Sequence, residues 1–259
     1  MSETSPAFEL AALTTEEVAA IFAAPPSAIL VPVGSVEPHG PHLPLATDTV
    51  ISVEAARRAA RALNTEGVAA YVAPSVAYGV TDFAAGFAGA VGISAPLLTA
   101  LLRELVHRFL EDGWSHVCLV NNHLEPAHDA AVRAAIAHVQ AGRASVACPL
   151  TRRWARTLSD EFKRGNCHAG RYETSLAMAA GADVRTQYSR LATVATSLSD
   201  EIKAGRSTFL AMGLERAYTG APAEASVAEG HALYDKLAEM IVAEVVEGVR
   251  ATAVPASTP

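Results

Sequence analysis

Short, unbroken runs of apolar residues alternate along this chain with longer segments that have the periodicity of helices. The run Ala28–Val33 has the length and composition of a strand buried on both faces. Thr47 then stands as the predicted N-cap of a helix that reaches about Leu63. Because strands that alternate with helices pair in parallel, we predict an α/β fold with a mostly parallel sheet flanked by helices. Further strands are predicted over Val68–Val76, His116–Asn121 and Ala144–Leu150. Further helices are predicted from the capping pair Thr14 and Glu17, from Ser94 to Gly113, from Pro126 to about Ala141, and from the capping pair Ser226 and Glu229. The second of these helices has one apolar face of Leu98, Leu101, Leu102, Leu105 and Phe109, and the last has one of Leu233, Leu237, Met240, Ile241 and Val245.

Composition narrows the class of protein. The chain has 259 residues, 51% of them hydrophobic, so it can bury a sizeable core; we predict one domain over 1–259, with its core over about 27–250 and a frayed tail at 251–259. The net charge of −7 and the lack of a basic stripe argue against a nucleic-acid partner. The N-terminus does not resemble a signal peptide, and no apolar run approaches the length of a membrane span, so we expect no membrane partner.

The cysteines bear on the cellular compartment. Cys118, Cys148 and Cys167 are odd in number and far apart, and the first two lie within strand-like runs. This pattern is typical of buried free thiols and not of a disulfide scaffold, so we expect a cytoplasmic protein.

Acidic and histidine side chains follow two of the predicted strands. Glu37, His39 and Asp48 come after the first strand in the segment VPVGSVEPHGPHLPLATD, and His123 and Glu125 come after the run VCLVNN. Because the carboxyl ends of parallel strands meet at one edge of a sheet, these side chains can converge. Carboxylates and imidazoles bind divalent transition metals, so five of them together indicate two metal ions and hydrolytic chemistry.

A third cluster, CHAGRYETS, contains His168 and Glu173. An imidazole beside a carboxylate suits proton transfer, because the carboxylate orients the ring and stabilises its charged form. Each candidate also has an ordinary explanation when it is taken alone. A loop acid is commonly a solvated charge, Asp48 could complement a helix dipole, and a single histidine is commonly structural.

These three segments resemble the creatininase family of metal-dependent amidohydrolases. The resemblance implies a three-layer α/β/α arrangement and two divalent metal ions. One ion is implied at Glu37, Asp48 and His123, and the other at His39, Asp48 and Glu125, so that the aspartate bridges them.

The resemblance also implies the remaining site residues and the assembly. It makes His168 the acid/base group and Glu173 an active-site carboxylate that holds it. It implies a homo-oligomer, expected to be a homo-hexamer, and the ligand types suit Zn²⁺, Mn²⁺ or Fe²⁺.

Several positions depart from the family pattern. Many members read Asn-Gly-His-Gly-Gly-Asn where this chain has NNHLEP, and Ala88 and Ala90 stand where proline and threonine are usual. Arg164 stands where creatininases carry a tryptophan, and the nearby Trp154 is expected in the core. The metal chemistry therefore matches the family, whereas the residues around the substrate do not match those of a creatinine enzyme.

Other histidines and polar residues carry weaker expectations. We expect a structural role for His42, which lies within the first motif. His116 is expected at the surface. His128 is also expected there, although its place in a first helical turn would let it approach the site. Tyr172 and Arg164 are possible substrate contacts.

The sequence thus predicts a dinuclear-metal amidohydrolase that cleaves a C–N amide bond, cyclic or related, in a small molecule by means of a hydroxide between the ions. A formamide deformylase and a peptidase that trims a precursor peptide are alternatives with the same metal site. A non-catalytic metal-binding scaffold is a third alternative, disfavoured because a scaffold has no need of His168 and Glu173 beside the metals.

Overall fold

The computed structural model describes residues 8–24 and 26–253, and its centre is a four-stranded parallel sheet. The strands lie in the order β2-β1-β3-β4, and every residue of the two central strands is buried. This burial on both faces explains why those strands read as unbroken apolar runs, and it confirms the predicted α/β fold. The strands are β1 (Ser27–Val33), β2 (Ala69–Val72), β3 (His116–Asn121) and β4 (Ala144–Ala147).

Helices cover both faces of this sheet. They are α1 (Thr15–Phe22), α2 (Thr47–Thr65), α3 (Ala95–Asp112), α4 (Pro126–Ile136), α5 (Arg152–Ala155), α6 (Asp160–Lys163), α7 (Arg171–Ala179), α8 (Leu198–Lys203) and α9 (Val227–Ala253). In β1, Ala28 and Leu30 face the core beneath α2 and α9, whereas Ile29 and Val31 face the core beneath α3 and α4. Side chains of a strand alternate between the two faces of a sheet, so one short strand supplies both cores of the three-layer arrangement. Among the described residues, none of the helices is both long enough and apolar enough to cross a membrane.

The capping predictions hold at the first helix and in part at the last. Glu17 N–H donates to the Thr14 hydroxyl over 3.3 Å, and Thr14 N–H donates to the Glu17 carboxylate over 2.7 Å. At α9, Glu229 N–H donates to the Ser226 hydroxyl over 3.2 Å. The Glu229 carboxylate does not return to Ser226; it accepts from the Arg171 guanidinium over 2.6 Å, which ties α9 to α7. The predicted apolar face of α9 is buried, and the part of the predicted tail beyond 253 lies outside the described residues.

Several predicted boundaries and one predicted buried position differ from those of the structure. Thr47 is the first residue of α2 and not its N-cap, since its hydroxyl donates to the carbonyl of Pro44 over 2.6 Å. Strand β2 ends at Val72, although an isolated bridge joins Val76 to Val33. Helix α4 ends at Ile136, strand β4 ends at Ala147, and Leu101 on α3 is 42% exposed.

His116 was expected at the surface but is fully buried at the start of β3. Its ring bonds the carbonyl of Gly142 over 2.9 Å and the hydroxyl of Ser145 over 2.8 Å. Both ring nitrogens are thus satisfied within the protein, which is what allows a histidine to be buried here.

Gly230 is a point of close contact between α9 and α7, because a Cβ at this position would overlap the carbonyl of Ser175. Helix propensity alone would make Gly230→Ala stabilising by about 1 kcal/mol. We expect instead a loss of about 1–3 kcal/mol in the free energy of unfolding, because the two helices must separate. Denaturant unfolding measures this, and Ala232→Gly at an exposed position of α9 is the propensity control. A stabilised Gly230→Ala protein would show that the helices do not pack this closely.

Candidate metal centre

The predicted site residues come together at the carboxyl edge of β1 and β3. The loop after β1 carries Glu37 and His39, and the first turn of α2 carries Asp48. The loop after β3 carries His123, and the first turn of α7 carries Glu173. All seven predicted residues, with Glu125 and His168 included, are at most 7% exposed. Burying so many ionisable groups at one place is costly unless they neutralise one another or bind cations.

Asp48 lies between two imidazole rings. Its Oδ1 is 3.1 Å from Nε2 of His39, and its Oδ2 is 3.0 Å from Nδ1 of His123. Glu37 Oε1 lies 3.4 Å from Nδ1 of His123, and Glu173 Oε2 lies 3.5 Å from Nε2 of His39. The ligand atoms of Glu37, Asp48 and His123 all lie within 4.8 Å of one another, and so do those of His39, Asp48 and Glu173. Two sets of three potential ligands therefore share Asp48, and a third set of Glu37, His39 and His168 does not include it.

The second nitrogen of each ring faces a backbone carbonyl. His39 Nδ1 donates to the carbonyl of Glu37 over 3.1 Å, and His123 Nε2 donates to that of Val80 over 2.6 Å. His168 Nε2 likewise donates to the carbonyl of Pro38 over 3.0 Å. A carbonyl only accepts, so in the neutral rings the nitrogens facing the carboxylates are lone pairs. A carbonyl behind the ring and a lone pair in front is the usual arrangement of metal-binding histidines.

Asp48 supplies a further indication that the donors fit cations. Its Oδ2 is buried and forms no hydrogen bond within the described part of the chain, even though His123 Nδ1 is close. A buried carboxylate oxygen without a donor is costly, and a divalent cation shared by Asp48 and His123 would remove that cost.

Protons take the place of cations when no metal is bound. Burial alone would lower the pKa of His39, but the carboxylates of Asp48, Glu173 and Glu37 outweigh it and raise this pKa to about 10. Burial would raise the pKa of Asp48, yet His39 and His123 hold it well below its usual range. Burial raises the pKa of Glu173 to about 8. The cluster therefore attracts positive charge strongly.

Glu125 does not join either set of ligands. Its Oε1 accepts from the backbone N–H of Asp82 and its Oε2 from that of Phe83, each over 3.1 Å. Burial raises its pKa to about 7. The structure places Glu173, and not Glu125, beside His39 and Asp48, which differs from the arrangement that the resemblance implies.

The segment 79–83 contacts three of the predicted ligands and was missed from the sequence. The Val80 carbonyl binds His123, the Thr81 hydroxyl donates to Glu37, and the next two amides bind Glu125. Most of these contacts come from backbone groups, which are the same in nearly every residue, so the sequence does not reveal them.

His128 was expected at the surface, but it is fully buried and its ring centroid lies 4.6 Å from that of His123. The position of His128 within the first turn of α4 was the only signal in the sequence. Burial lowers its pKa to about 3, so the ring is neutral. His42 is also buried, and its Nε2 lies 2.8 Å from the Thr174 hydroxyl on α7, as suits the structural role expected for it.

His168 is oriented mainly by groups other than Glu173. Its Nδ1 lies 3.9 Å from Glu173 Oε2, too far for a hydrogen bond, and 3.8 Å from Glu37 Oε1. The ring is held by Pro38 on one edge and by Phe209, which stacks on it with centroids 4.4 Å apart. Burial lowers the pKa of His168 to about 4, so this ring is neutral near pH 7.

Glu161 supports the turn that carries His168 and Glu173. Its carboxylate accepts from the N–H groups of Arg171 and Tyr172 at the start of α7, over 3.0 and 2.7 Å. It replaces the missing side-chain cap at Gly170 and complements the helix dipole. Tyr172 itself is 2% exposed and packs in the core. Neither Tyr172 nor Arg164 lines the cavity above the site, so the structure does not support them as substrate contacts.

A cavity of about 220 Å³ lies over the cluster. Glu37, Asp48, His123, His168 and Glu173 contribute to its lining. Its walls are mostly apolar, with Lys163 as a cationic member, and are built by Phe83, Leu124, Leu150, Phe162, Leu198, Ile202 and Phe209. The cavity can therefore place an apolar group next to a polar floor of candidate metal ligands.

Comparisons with known proteins identify the family of this chain. The sequence profile of the creatininase family, described as creatinine amidohydrolase, matches residues 11–245. A mycofactocin precursor peptide peptidase of Mycobacterium tuberculosis (strain CDC 1551 / Oshkosh) is 32% identical over 230 residues, which cover 84% of each chain. Solved structures share the fold. A creatinine amidohydrolase superposes with a TM-score of 0.74 and 20% identity, covering 91% of this chain and 95% of its own. A structure described as creatininase Mn superposes with a TM-score of 0.72 and 20% identity, covering 96% of this chain and 99% of its own. A creatininase variant of Zn-Zn type has TM-score 0.73, 19% identity and coverage of 95% and 98%. The chain therefore belongs to the creatininase family of hydrolases.

Proposed function

We propose that this chain is a dinuclear-metal hydrolase that cleaves the C–N bond of an amide. The observation that carries the proposal is the arrangement of His39 and His123 around Asp48. Each ring is tied through one nitrogen to a backbone carbonyl and turns the other nitrogen toward shared, buried carboxylates. A scaffold protein would have no use for a buried His168 directly over such a centre.

The residues of the cluster would hold two cations. Glu37, Asp48 and His123 would bind one, and His39, Asp48 and Glu173 would bind the other. Zn²⁺, Mn²⁺ and Fe²⁺ suit these ligands, and solved relatives of the same fold include manganese and Zn-Zn forms. When bound, such ions polarise a substrate carbonyl and lower the pKa of water.

His168 would move the proton during the reaction. Its Nε2–H is held by Pro38, so the proton must be taken up and released at Nδ1, which faces the cluster. A neutral ring can first accept a proton from the attacking water and then donate it to the leaving nitrogen. Phe209 keeps the ring plane fixed between the two steps.

The cavity and the relatives bear on the substrate. The apolar walls and the departures from the creatininase pattern disfavour creatinine itself. A precursor peptide is a specific second candidate, because the relative at 32% identity is described as a precursor peptide peptidase. An apolar side chain at the cleaved amide would fill the cavity above the metals. A homo-hexamer located in the cytoplasm remains our prediction.

The proposed function is tested by a hydrolysis screen with metal-replete protein over lactams, hydantoins, formamides and short peptides that carry apolar residues. We expect amide cleavage in at least one class and about two ions per chain by elemental analysis. Asp48→Ala should lose metal and activity together, because Asp48 belongs to both sets of ligands.

His168→Ala is the matched variant, since it removes the proposed acid/base group and leaves both sets intact. We expect near-normal metal content and a loss of about 10²–10⁴ in turnover. Loss of metal from His168→Ala would make it a ligand, and unchanged turnover would remove it from the mechanism.

Glu173 and Glu125 can be separated by two isosteric substitutions. Glu173→Gln should lower the metal content to about one ion per chain, because it weakens the set around His39. Glu125→Gln should keep both ions but lose about 1–3 kcal/mol of stability, because its new amide N–H group faces a backbone donor. The reverse pattern in elemental analysis would restore Glu125 as the ligand.

The metal-free protein should lose stability as the pH rises from 6.5 to 8.5. His39 has a folded pKa of about 10 against an ordinary 6.5, so the stability it contributes is complete below pH 6.5 and is lost as the pH rises toward 10. Glu173, with its pKa raised to about 8, acts in the same direction over pH 4.5–8. Each such group contributes a slope of up to about 1.4 kcal/mol per pH unit.

Metal should abolish this loss, because a cation on His39 takes the place of the proton. Denaturant unfolding at pH 6.5, 7.5 and 8.5, in chelator and then with Mn²⁺, measures both curves. A metal-free stability that is flat or rises across this range would contradict the raised pKa of His39.

A further inference from the structure

His128 occupies a place that an apolar side chain would fill at lower cost. The ring is fully buried, and its Nε2 has no hydrogen-bond partner among the described residues. A buried polar atom without a partner destabilises the fold, and leucine at this position would avoid that loss. We therefore expect another interaction of the ring to offset the cost of burying it.

That interaction is with the backbone of Val80. Val80 N–H donates to Nδ1 of His128 over 3.2 Å, so Nδ1 is the acceptor and carries no proton. Gly79 lies directly against the ring, because a Cβ at Gly79 would overlap it. The ring and the segment 79–83 thus meet without space between them.

Val80 in turn orients a proposed metal ligand. Its carbonyl accepts from Nε2 of His123 over 2.6 Å, which leaves Nδ1 of His123 aimed at Asp48 and Glu37. The next residue, Thr81, donates its hydroxyl to Glu37. Moving Val80 would therefore disturb His123 and Glu37, two of the three ligands of one proposed ion.

The other proposed ion is connected to this segment only indirectly, through Glu37 and the shared Asp48. His39 is oriented by the carbonyl of Glu37, and Glu173 is held by the N–H of Ala169 over 2.6 Å. Neither contact involves the segment 79–83. A change at His128 should therefore act more strongly on the ion held by Glu37 and His123 than on the other ion.

We propose that His128 is a positioning residue, which holds Val80 in place so that the Val80 carbonyl orients His123 and sets the affinity of the site formed by Glu37, Asp48 and His123. This inference rests on the proposed function, because it presumes that the two sets of ligands bind cations.

The test is calorimetric titration of Mn²⁺ into the chelator-stripped full chain. The wild type should show two binding events. His128→Leu, which removes the acceptor, should weaken one of them by about 10- to 100-fold, the usual effect of losing a group that orients a metal ligand, and weaken the other much less. His128→Asn offers a carbonyl oxygen near the position of Nδ1 and should restore most of the affinity.

His116→Leu is the matched control, since it also removes a buried, hydrogen-bonded histidine but at the far end of β3 from the site. It should lower stability without changing either binding event. Thermal unfolding establishes that each variant is folded, and His128→Met replaces His128→Leu if the leucine variant does not fold.

Three results would overturn the inference: equal weakening of both events, an equal effect in His116→Leu, or no rescue by asparagine. A wild type that binds no Mn²⁺ would instead refute the proposed function, which keeps the two failures distinct.

Discussion

The burial of Asp48 between His39 and His123 is the constraint on which the rest of the site depends. A carboxylate at 1% exposure is tolerated only where positive charge surrounds it, and the protonated imidazoles of His39 and His123 supply that charge when no cation is bound. The two rings lie on loops that follow different strands, His39 after β1 and His123 after β3. Their meeting therefore requires that these strands be parallel neighbours, as the register of Leu30 beside Cys118 shows.

The polypeptide around this cluster acts mainly through its backbone. Carbonyls of Glu37, Pro38 and Val80 determine which nitrogen of each histidine faces inward. The first turn of α7, which bears Glu173, is in turn held by the Glu161 carboxylate. A cluster built in this way keeps its candidate ligands oriented, which would lower the conformational entropy that binding a cation costs.

The residues that this chain has in common with the creatininase family and the residues that would select its substrate lie in different parts of the site. The floor of the cavity carries the acidic and histidine residues of the three family-like motifs, whereas the walls, with Phe83, Phe162 and Phe209, are apolar and lie outside those motifs. Chemistry and specificity can diverge separately when they are carried by different elements. The peptide candidate follows from the walls and from the relative at 32% identity, not from the floor.

The sequence by itself determined the parallel sheet, most helix positions and the residues that converge at its edge. Those properties depend on local periodicity and on which residue follows which strand. It did not reveal that Glu173 approaches His39 while Glu125 turns to the amides of the segment 79–83, nor that His128 is buried. Only the tertiary structure decided these points, because each depends on where a backbone segment distant in the chain passes. A backbone amide or carbonyl has the same chemistry at nearly every residue, so its partners leave almost no trace in the sequence.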